Sequence, residues 1–223
     1  MSFVSVVSRL QHLSPKSAAL MLACGALSLG AVTLDAQAQA QTLPIAARAK
    51  GLKTAPVTVY EMADFQCPYC RQFAVETMPT IDKEYVKTGK VRWVFINLPL
   101  QSLHANAEAA AEFAACAGRE NRFWQAHDML YQAQADWENL PNPAAYFQSH
   151  FVSLGLKRDS MMQCLTSGAG AAMVKDDAAG AEKAGAHSTP TFYIEGGMMD
   201  GAQPIGIFRR VLDSIYTAKK KQH

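Results

Sequence analysis

Two cysteines separated by two residues, Cys67-Pro68-Tyr69-Cys70, constrain the fold of this chain more than any other feature. Residues 57–62 (VTVYEM), just before the motif, are rich in β-branched and aromatic side chains and predict a strand. Residues 91–96 (VRWVFI) predict a second strand. Between them, apolar residues recur at spacings that predict a helix, namely Phe73, Val75, Met78, Ile81 and Tyr85. The motif therefore lies at the strand-to-helix junction of a βαβ unit.

This junction favours thiol chemistry. The N-terminus of a helix carries unpaired N–H groups and about half a positive charge, so a thiolate at Cys67 is stabilised and its pKa is lowered. We expect Cys67 to be an exposed nucleophile and Cys70 to be a shielded partner within disulfide reach. Pro68 suits a first helical turn, and we expect Pro68 and Tyr69 to set the geometry of the pair and to contact substrate.

Other interpretations of the motif have less support. A structural zinc site needs two further ligands, but the sequence contains no second C-x-x-C and no H-x-x-x-H. A purely structural Cys67–Cys70 bridge would close too small a ring to add much stability. We therefore predict neither a metal nor a cofactor.

The composition excludes some partner classes. Of the 223 residues, 49% are apolar and 18% are charged, as in globular proteins. The formal net charge of +2, from 21 Lys and Arg against 19 Asp and Glu, is too small for a nucleic-acid-binding protein, which needs clustered cations.

Residues 1–40 are interpreted as a signal peptide for export. An apolar run of about fifteen residues (18–32) follows two basic residues, and small side chains permit cleavage after Ala38 or Ala40. The run is shorter than the roughly 20 residues that span a bilayer. The alternatives are a retained membrane anchor and a lipoprotein cut before Cys24. Export favours disulfide chemistry, because exported thiols meet an oxidising compartment.

The remaining chain divides into four segments. Residues 41–56 form a lead-in without clear periodicity, and residues 57–98 contain the βαβ unit. Residues 99–185 are rich in alanine, with apolar positions three and four apart, and predict a helical lobe of four or five helices. Strand character returns in 186–218, with a hairpin turn at Gly196-Gly197 and a final amphipathic helix. Breaks in the lobe are expected at Gly118, 141–143, Gly155 and Gly168.

These features together resemble the DsbA-like thiol:disulfide oxidoreductases of the thioredoxin superfamily, over roughly residues 55–217. The resemblance depends on the CPYC motif, on Asp64-Phe65-Gln66 directly before it, on 122–130 (RFWQAHDML) and on the strand entry 188–192 (STPTF). It implies an α/β thioredoxin fold whose halves, 57–98 and 186–218, enclose the inserted α-helical lobe.

The resemblance also implies roles for single residues. Pro190 matches the cis-proline that faces the cysteine pair, and its use is to leave the backbone of Thr189 unpaired so that an extended substrate can bond there as an added strand. A trans-proline is the alternative. Glu61 matches a buried acid beneath the pair, where desolvation would raise its pKa and allow it to relay a proton for Cys70. The alternative is a partly exposed strand residue.

Two further positions follow from the same resemblance. Some relatives carry a structural disulfide in the lobe, which implies a Cys116–Cys164 bridge here; two buried free thiols are the alternative. Tyr69 stands where strongly oxidising members carry histidine. Since tyrosine supplies no positive charge to the Cys67 thiolate, no extreme potential is assumed.

The implied function is a periplasmic, monomeric dithiol oxidase that forms disulfides in reduced or unfolded exported proteins. A membrane quinone-linked partner would reoxidise it. The lead-in 41–56 is too short for a dimerisation domain, which favours an oxidase over a dimeric isomerase. The alternatives are a disulfide isomerase or reductase kept reduced by a membrane donor, and a chaperone that holds unfolded exported chains in a groove near Pro190.

Overall fold

A computed structural model describes residues 44–221, so the predicted signal peptide 1–40 lies outside the described residues. Five strands form one sheet in the order β1-β3-β2-β4-β5. The strands β2 and β3 are parallel, and the other neighbours are antiparallel. The mixed α/β class is confirmed. The strands are β1 (Ala49–Lys50), β2 (Val57–Ala63), β3 (Val91–Asn97), β4 (Thr191–Ile194) and β5 (Gly197–Asp200).

The lead-in contributes to the sheet, which the sequence did not predict. Ile45–Arg48 forms a 3₁₀ turn, and β1 then pairs with β3, with Lys50 opposite Trp93. A strand of two residues is too short to show a period of two, which is why 41–56 gave no signal. This pairing places Lys50 beside Trp93 in the sheet, with its ammonium group 4.2 Å from the centre of the Trp124 ring.

The hairpin between β4 and β5 turns one residue earlier than expected. Its loop is Glu195-Gly196, with φ angles of 47° and 95°, and Gly197 already begins β5. Two successive positive φ angles match the type I′ turn that joins twisted antiparallel strands. The turn at Gly196-Gly197 was therefore misplaced by one position.

The helix after the motif is continuous over 68–86 but not uniform. The α-helical segments α1 (Pro68–Gln72) and α2 (Met78–Ile81) alternate with π-helical turns at Phe73–Thr77 and Asp82–Val86. The wider π turn changes the register of the buried face. Val75, one of the apolar residues of the predicted helical pattern, is 44% exposed.

Six helices, not four or five, lie between β3 and β4. The short α5 follows α4 after a single residue and was not resolved by apolar spacing. The break predicted at Gly118 falls one residue before the end of α3, which ends at Arg119. The six are α3 (Ala107–Arg119), α4 (Phe123–Gln132), α5 (Gln134–Trp137), α6 (Ala144–Ser149), α7 (Arg158–Thr166) and α8 (Ala169–Lys183), and the chain ends with α9 (Ile205–Lys220).

Two hydrophobic clusters position the cysteine motif. One packs the sheet against the helical segment 68–86 and α9, through the stacked rings of Phe73 and Trp93 and through Phe208. The other joins the motif to the helices of 107–183 through Phe65, which stacks on Phe95 at 5.0 Å. The motif is therefore held from both sides. Within residues 44–221, no helix has the length and apolarity needed to cross a membrane.

Candidate active site

Cys67 is the N-cap residue of α1, with Pro68 in the first turn. Its backbone is extended, its N–H donates to the Asp64 carbonyl at 3.2 Å, and its carbonyl accepts the Arg71 N–H at 3.1 Å. This conformation brings the Cys67 sulfur to the N–H groups of Tyr69 and Cys70. The strand-to-helix junction thus gives the thiol the environment that a helix N-terminus offers to an anion.

The two thiols have opposite properties. A hydrogen bond from the Cys70 side chain, together with bonds from Thr189 and from the N–H groups of the first turn, lowers the pKa of Cys67 to about 6 against the opposing effect of burial. Complete burial raises the pKa of Cys70 well above its usual value, and the nearby Cys67 raises it further. At neutral pH Cys67 is a thiolate and Cys70 is a thiol.

Cys67 is less accessible than the sequence indicated. It is 5% exposed, whereas an exposed sulfur was expected. The physical reason is the loop before β4, because the Thr189 carbonyl lies 3.4 Å from the Cys67 Sγ and covers it. Pro68 and Tyr69, between the cysteines, are both exposed, with Tyr69 at 63%.

The Thr189–Pro190 peptide bond is cis and faces the pair. The Thr189 carbonyl, expected to be unpaired, accepts a hydrogen bond from the Cys67 thiol while that thiol is protonated. The buried Thr189 hydroxyl has no hydrogen-bond partner among residues 44–221, and it is placed to donate once Cys67 ionises. Directly after Pro190, Thr191 pairs with Met62 of β2, which fixes the loop to the sheet.

Glu61 lies in β2, beneath the helix, and is 1% exposed. Its Oε2 accepts the Trp93 Nε1–H at 2.7 Å, and its Oε1 has no partner within the described part of the chain. Burial raises the pKa of Glu61 to about 7, opposed by the Trp93 bond and the charge of Lys50. The charge of Glu61 in turn raises the pKa of Cys70, so the two groups are electrostatically coupled.

The other two cysteines among the described residues form a separate pair. Cys116 on α3 and Cys164 on α7 are joined by a disulfide with a Cα–Cα distance of 5.8 Å. Gly170 on α8 packs directly on this bridge, since a Cβ there would lie 3.0 Å from the Cys116 Sγ. The bridge joins α3 to α7, and α8 packs against it.

Three residues around the pair were not singled out from the sequence. Trp93 appeared only as an apolar strand residue, although it holds Glu61. Asp64 was noted only for its place before the motif, and its carboxylate lies 2.8 Å from the ring Nδ1 of His104. A lone histidine in a loop carries no sequence signal of such a pairing. The described residues contain no group of three His, Cys, Asp or Glu side chains that could hold a metal.

Comparisons with known proteins identify the family. A family model described as thioredoxin matches residues 45–214. "Disulfide bond formation protein D" of Bacillus subtilis is 27% identical over 145 residues, which are 65% of this chain and 65% of that protein. "Na(+)/H(+) antiporter NhaA 1" of Salinispora arenicola is 30% identical over 171 residues, which are 77% of this chain. The chain spans only 25% of the length of that antiporter.

Solved structures show the same fold. BdbD from Bacillus subtilis in its oxidised form superposes with a TM-score of 0.70 at 23% identity, covering 79% of this chain and 96% of BdbD. The alpha-DsbA1 of Wolbachia pipientis superposes with a TM-score of 0.68 at 22% identity, covering 78% and 93%. The expected fold, a thioredoxin fold with inserted helices, is confirmed. The chain belongs to the thioredoxin family and has the DsbA-like fold that its sequence predicts.

Proposed function

We propose that this protein is an exported thiol:disulfide oxidoreductase that acts mainly as a dithiol oxidase on reduced proteins. The observation that carries the proposal is that the two thiols have pKa shifts in opposite directions. The pKa of Cys67 is lowered to about 6, and burial raises that of Cys70. A low thiol pKa makes Cys67 a good leaving group and stabilises the reduced protein, which favours oxidation of the client. The relative named for disulfide bond formation supports the same reaction class.

The exchange conserves atoms and electrons. In the oxidised protein, a client thiolate attacks the Cys67 sulfur, the Cys67–Cys70 bond breaks, and Cys70 leaves with the electron pair and takes up a proton. A second client thiolate then attacks the client sulfur of the mixed disulfide and releases the Cys67 thiolate. The client loses two electrons and gains a disulfide, and the pair is reduced.

Surrounding residues assist each step. Glu61, with a pKa of about 7, is suited to supply the proton that Cys70 takes up and to recover it on reoxidation. Thr189 offers backbone groups beside Cys67 along which an extended client can lie as an added strand. Exposed Tyr69 and Pro68 lie at the entrance and would contact the client.

The proposed partners and location follow from the direction of the reaction. Each cycle leaves the pair reduced, so a membrane quinone-linked oxidant would have to restore the disulfide. Clients would be reduced or unfolded proteins in the periplasm, reached after removal of the signal peptide 1–40. We propose that the protein works as a monomer.

An equilibrium titration of the Cys67–Cys70 pair against glutathione tests the direction. We expect a potential on the oxidising side, toward the value of about −120 mV of a strong oxidant. A potential near about −270 mV would instead support a reductase or isomerase kept reduced by a donor.

Trapping in cells tests the nucleophile. A Cys70→Ala variant lacks the resolving thiol and should accumulate mixed disulfides with exported proteins through Cys67. The double variant Cys67→Ala/Cys70→Ala should form none and should lose disulfide formation. If the double variant retains the full effect on exported proteins, holding of unfolded chains is the function and the oxidase is excluded.

A further inference from the structure

Asp64 is a buried carboxylate three residues before Cys67 that no step of the proposed exchange uses. Its side chain is fully buried, and its Oδ1 accepts the Gln66 N–H at 2.7 Å. Its Oδ2 accepts the Leu100 N–H at 2.8 Å and lies 2.8 Å from the Nδ1 of His104. Within residues 44–221, His104 is the single basic side chain within 4.0 Å of this carboxylate. A buried carboxylate is costly unless such partners remain in place.

The backbone of Asp64 touches both cysteines. Its carbonyl accepts the Cys67 N–H at 3.2 Å and the Tyr131 hydroxyl at 3.3 Å. A backbone hydrogen bond from Asp64 reaches Cys70 and counteracts part of the rise in the pKa of that thiol. A shift of Asp64 would therefore move Cys67 relative to the N–H groups of the first helical turn.

His104 reaches Asp64 from a separate segment, the loop 98–106 between β3 and α3. The backbone of His104 is itself fixed, since its N–H donates to the Leu100 carbonyl at 3.0 Å and its carbonyl accepts the Ala107 N–H at 3.2 Å. The same loop is attached a second time, because the Gln66 Oε1 accepts the Asn106 N–H at 2.7 Å. The imidazole is thus held on a rigid support.

We propose that His104 is a positioning residue for disulfide exchange, which holds the Asp64 carboxylate and through it keeps Cys67 at the helix N-terminus. This inference rests on the proposed function. The Nδ1–H can donate to Oδ2 in both the neutral ring and the imidazolium, and the imidazolium also offsets the carboxylate charge. The offset matters because Asp64 shares its surroundings with other groups that become negatively charged. Cys70, Glu61 and Cys67 raise the pKa of the buried Tyr131, and so does Asp64.

The pH dependence of Cys67 alkylation tests the proposal. Iodoacetamide reacts with the reduced full chain between pH 4 and 9, and mass spectrometry quantifies the Cys67 peptide. In His104→Ala the midpoint should move upward by about one pH unit, so that alkylation at pH 5 slows about tenfold. In His104→Asn, whose amide N–H lies near the position of Nδ1, most of the wild-type profile should return.

His150→Ala is the matched control, since this histidine bonds to the Tyr146 carbonyl in α6 and does not contact the cysteine pair. It should leave the profile unchanged. If His104→Ala has the same alkylation profile as the wild type, the inference is overturned. If the midpoint of Cys67 alkylation is then low in both the wild type and His104→Ala, the proposed function still stands. An ordinary cysteine profile in the wild type overturns both.

A folding defect in His104→Ala does not end the test. In that case His104→Asn is compared with His104→Gln, whose donor lies one bond further from the backbone. A wild-type profile in Asn together with a raised midpoint in Gln supports the positioning role. Wild-type profiles in both variants overturn it, as do equally raised midpoints, because the position of the donor would then not matter.

Discussion

The ionisation of the Glu61 side chain makes the stability of the fold depend on pH. Burial raises its pKa from 4.5 to about 7, whereas in the unfolded chain the carboxyl ionises near the ordinary value. Between these values the folded protein keeps a proton that the unfolded chain has released. Stability therefore falls as pH rises through this window, by on the order of 3 kcal/mol in total.

Glu61→Gln should remove this decline. Glutamine retains an oxygen acceptor for the Trp93 Nε1–H but does not ionise, so the variant should be more stable than wild type at pH 8 by on the order of 1–3 kcal/mol. Urea unfolding of the oxidised proteins from pH 4.5 to 8 measures the difference, because the bonded cysteines do not titrate there. The control is Glu182→Gln, at an exposed position on α8. An unchanged decline in Glu61→Gln would assign the titration to another group.

The spacing of residues in the sequence predicted where the two cysteines lie, but not which side chains hold Glu61 and Asp64. The position of Cys67 could be predicted because a C-x-x-C between a strand and a helix depends only on local sequence. The partner of Glu61 depends on the β2–β3 register, which pairs Glu61 with Phe95 and puts Trp93 two positions away on the same face of the sheet. The partner of Asp64 depends on the path of the loop 98–106. Neither is encoded in a local pattern.

Among the helices, the Cys116–Cys164 bridge is the covalent link between α3 and α7. It closes a separation of 48 residues, so the chain-entropy model assigns it about 4 kcal/mol of stability. The variant Cys116→Ala/Cys164→Ala should lose this amount in urea unfolding and still catalyse thiol–disulfide exchange, since the Cys67–Cys70 pair is unchanged. Cys164→Ala alone should lose as much, because either change breaks the bridge.

Non-reducing peptide mapping checks the bridge itself. The peptides that contain Cys116 and Cys164 should be recovered joined and should separate on reduction. Separate peptides before reduction, with a stability loss under about 1 kcal/mol in the double variant, would indicate two free buried thiols.

The elements that could be predicted are those long enough to show a period. The strands β2 and β3 were placed to within one residue because both are runs of β-branched and aromatic residues. Two-residue β1 and four-residue α5 have no measurable period. The π turns after Cys70 change the helical period itself, so a search for the ordinary 3.6-residue period does not detect them.

Two groups of the cysteine site, Glu61 and Cys67, change stability with pH in opposite directions, and the redox state separates them. Glu61 acts in both the oxidised and the reduced protein. Cys67 titrates only when the pair is reduced, and its pKa falls from 9.0 to about 6 on folding. A lowered pKa contributes stability that is complete above pH 9 and is lost as pH falls through 6, about 1.4 kcal/mol per unit between them.

The difference in unfolding free energy between reduced and oxidised protein should therefore rise by roughly 2–3 kcal/mol from pH 5.5 to 8. Glu61 cancels in this difference, and Cys70 remains protonated throughout the range because its pKa is raised. Urea unfolding of both forms measures the change, with mass spectrometry verifying that the Cys116–Cys164 bridge stays intact. Reduced Cys67→Ser, which lacks the thiolate, should follow the pH dependence of the oxidised wild type. A flat difference in the wild type would mean that folding does not stabilise the Cys67 thiolate, and the chemical basis for an oxidase would be lost.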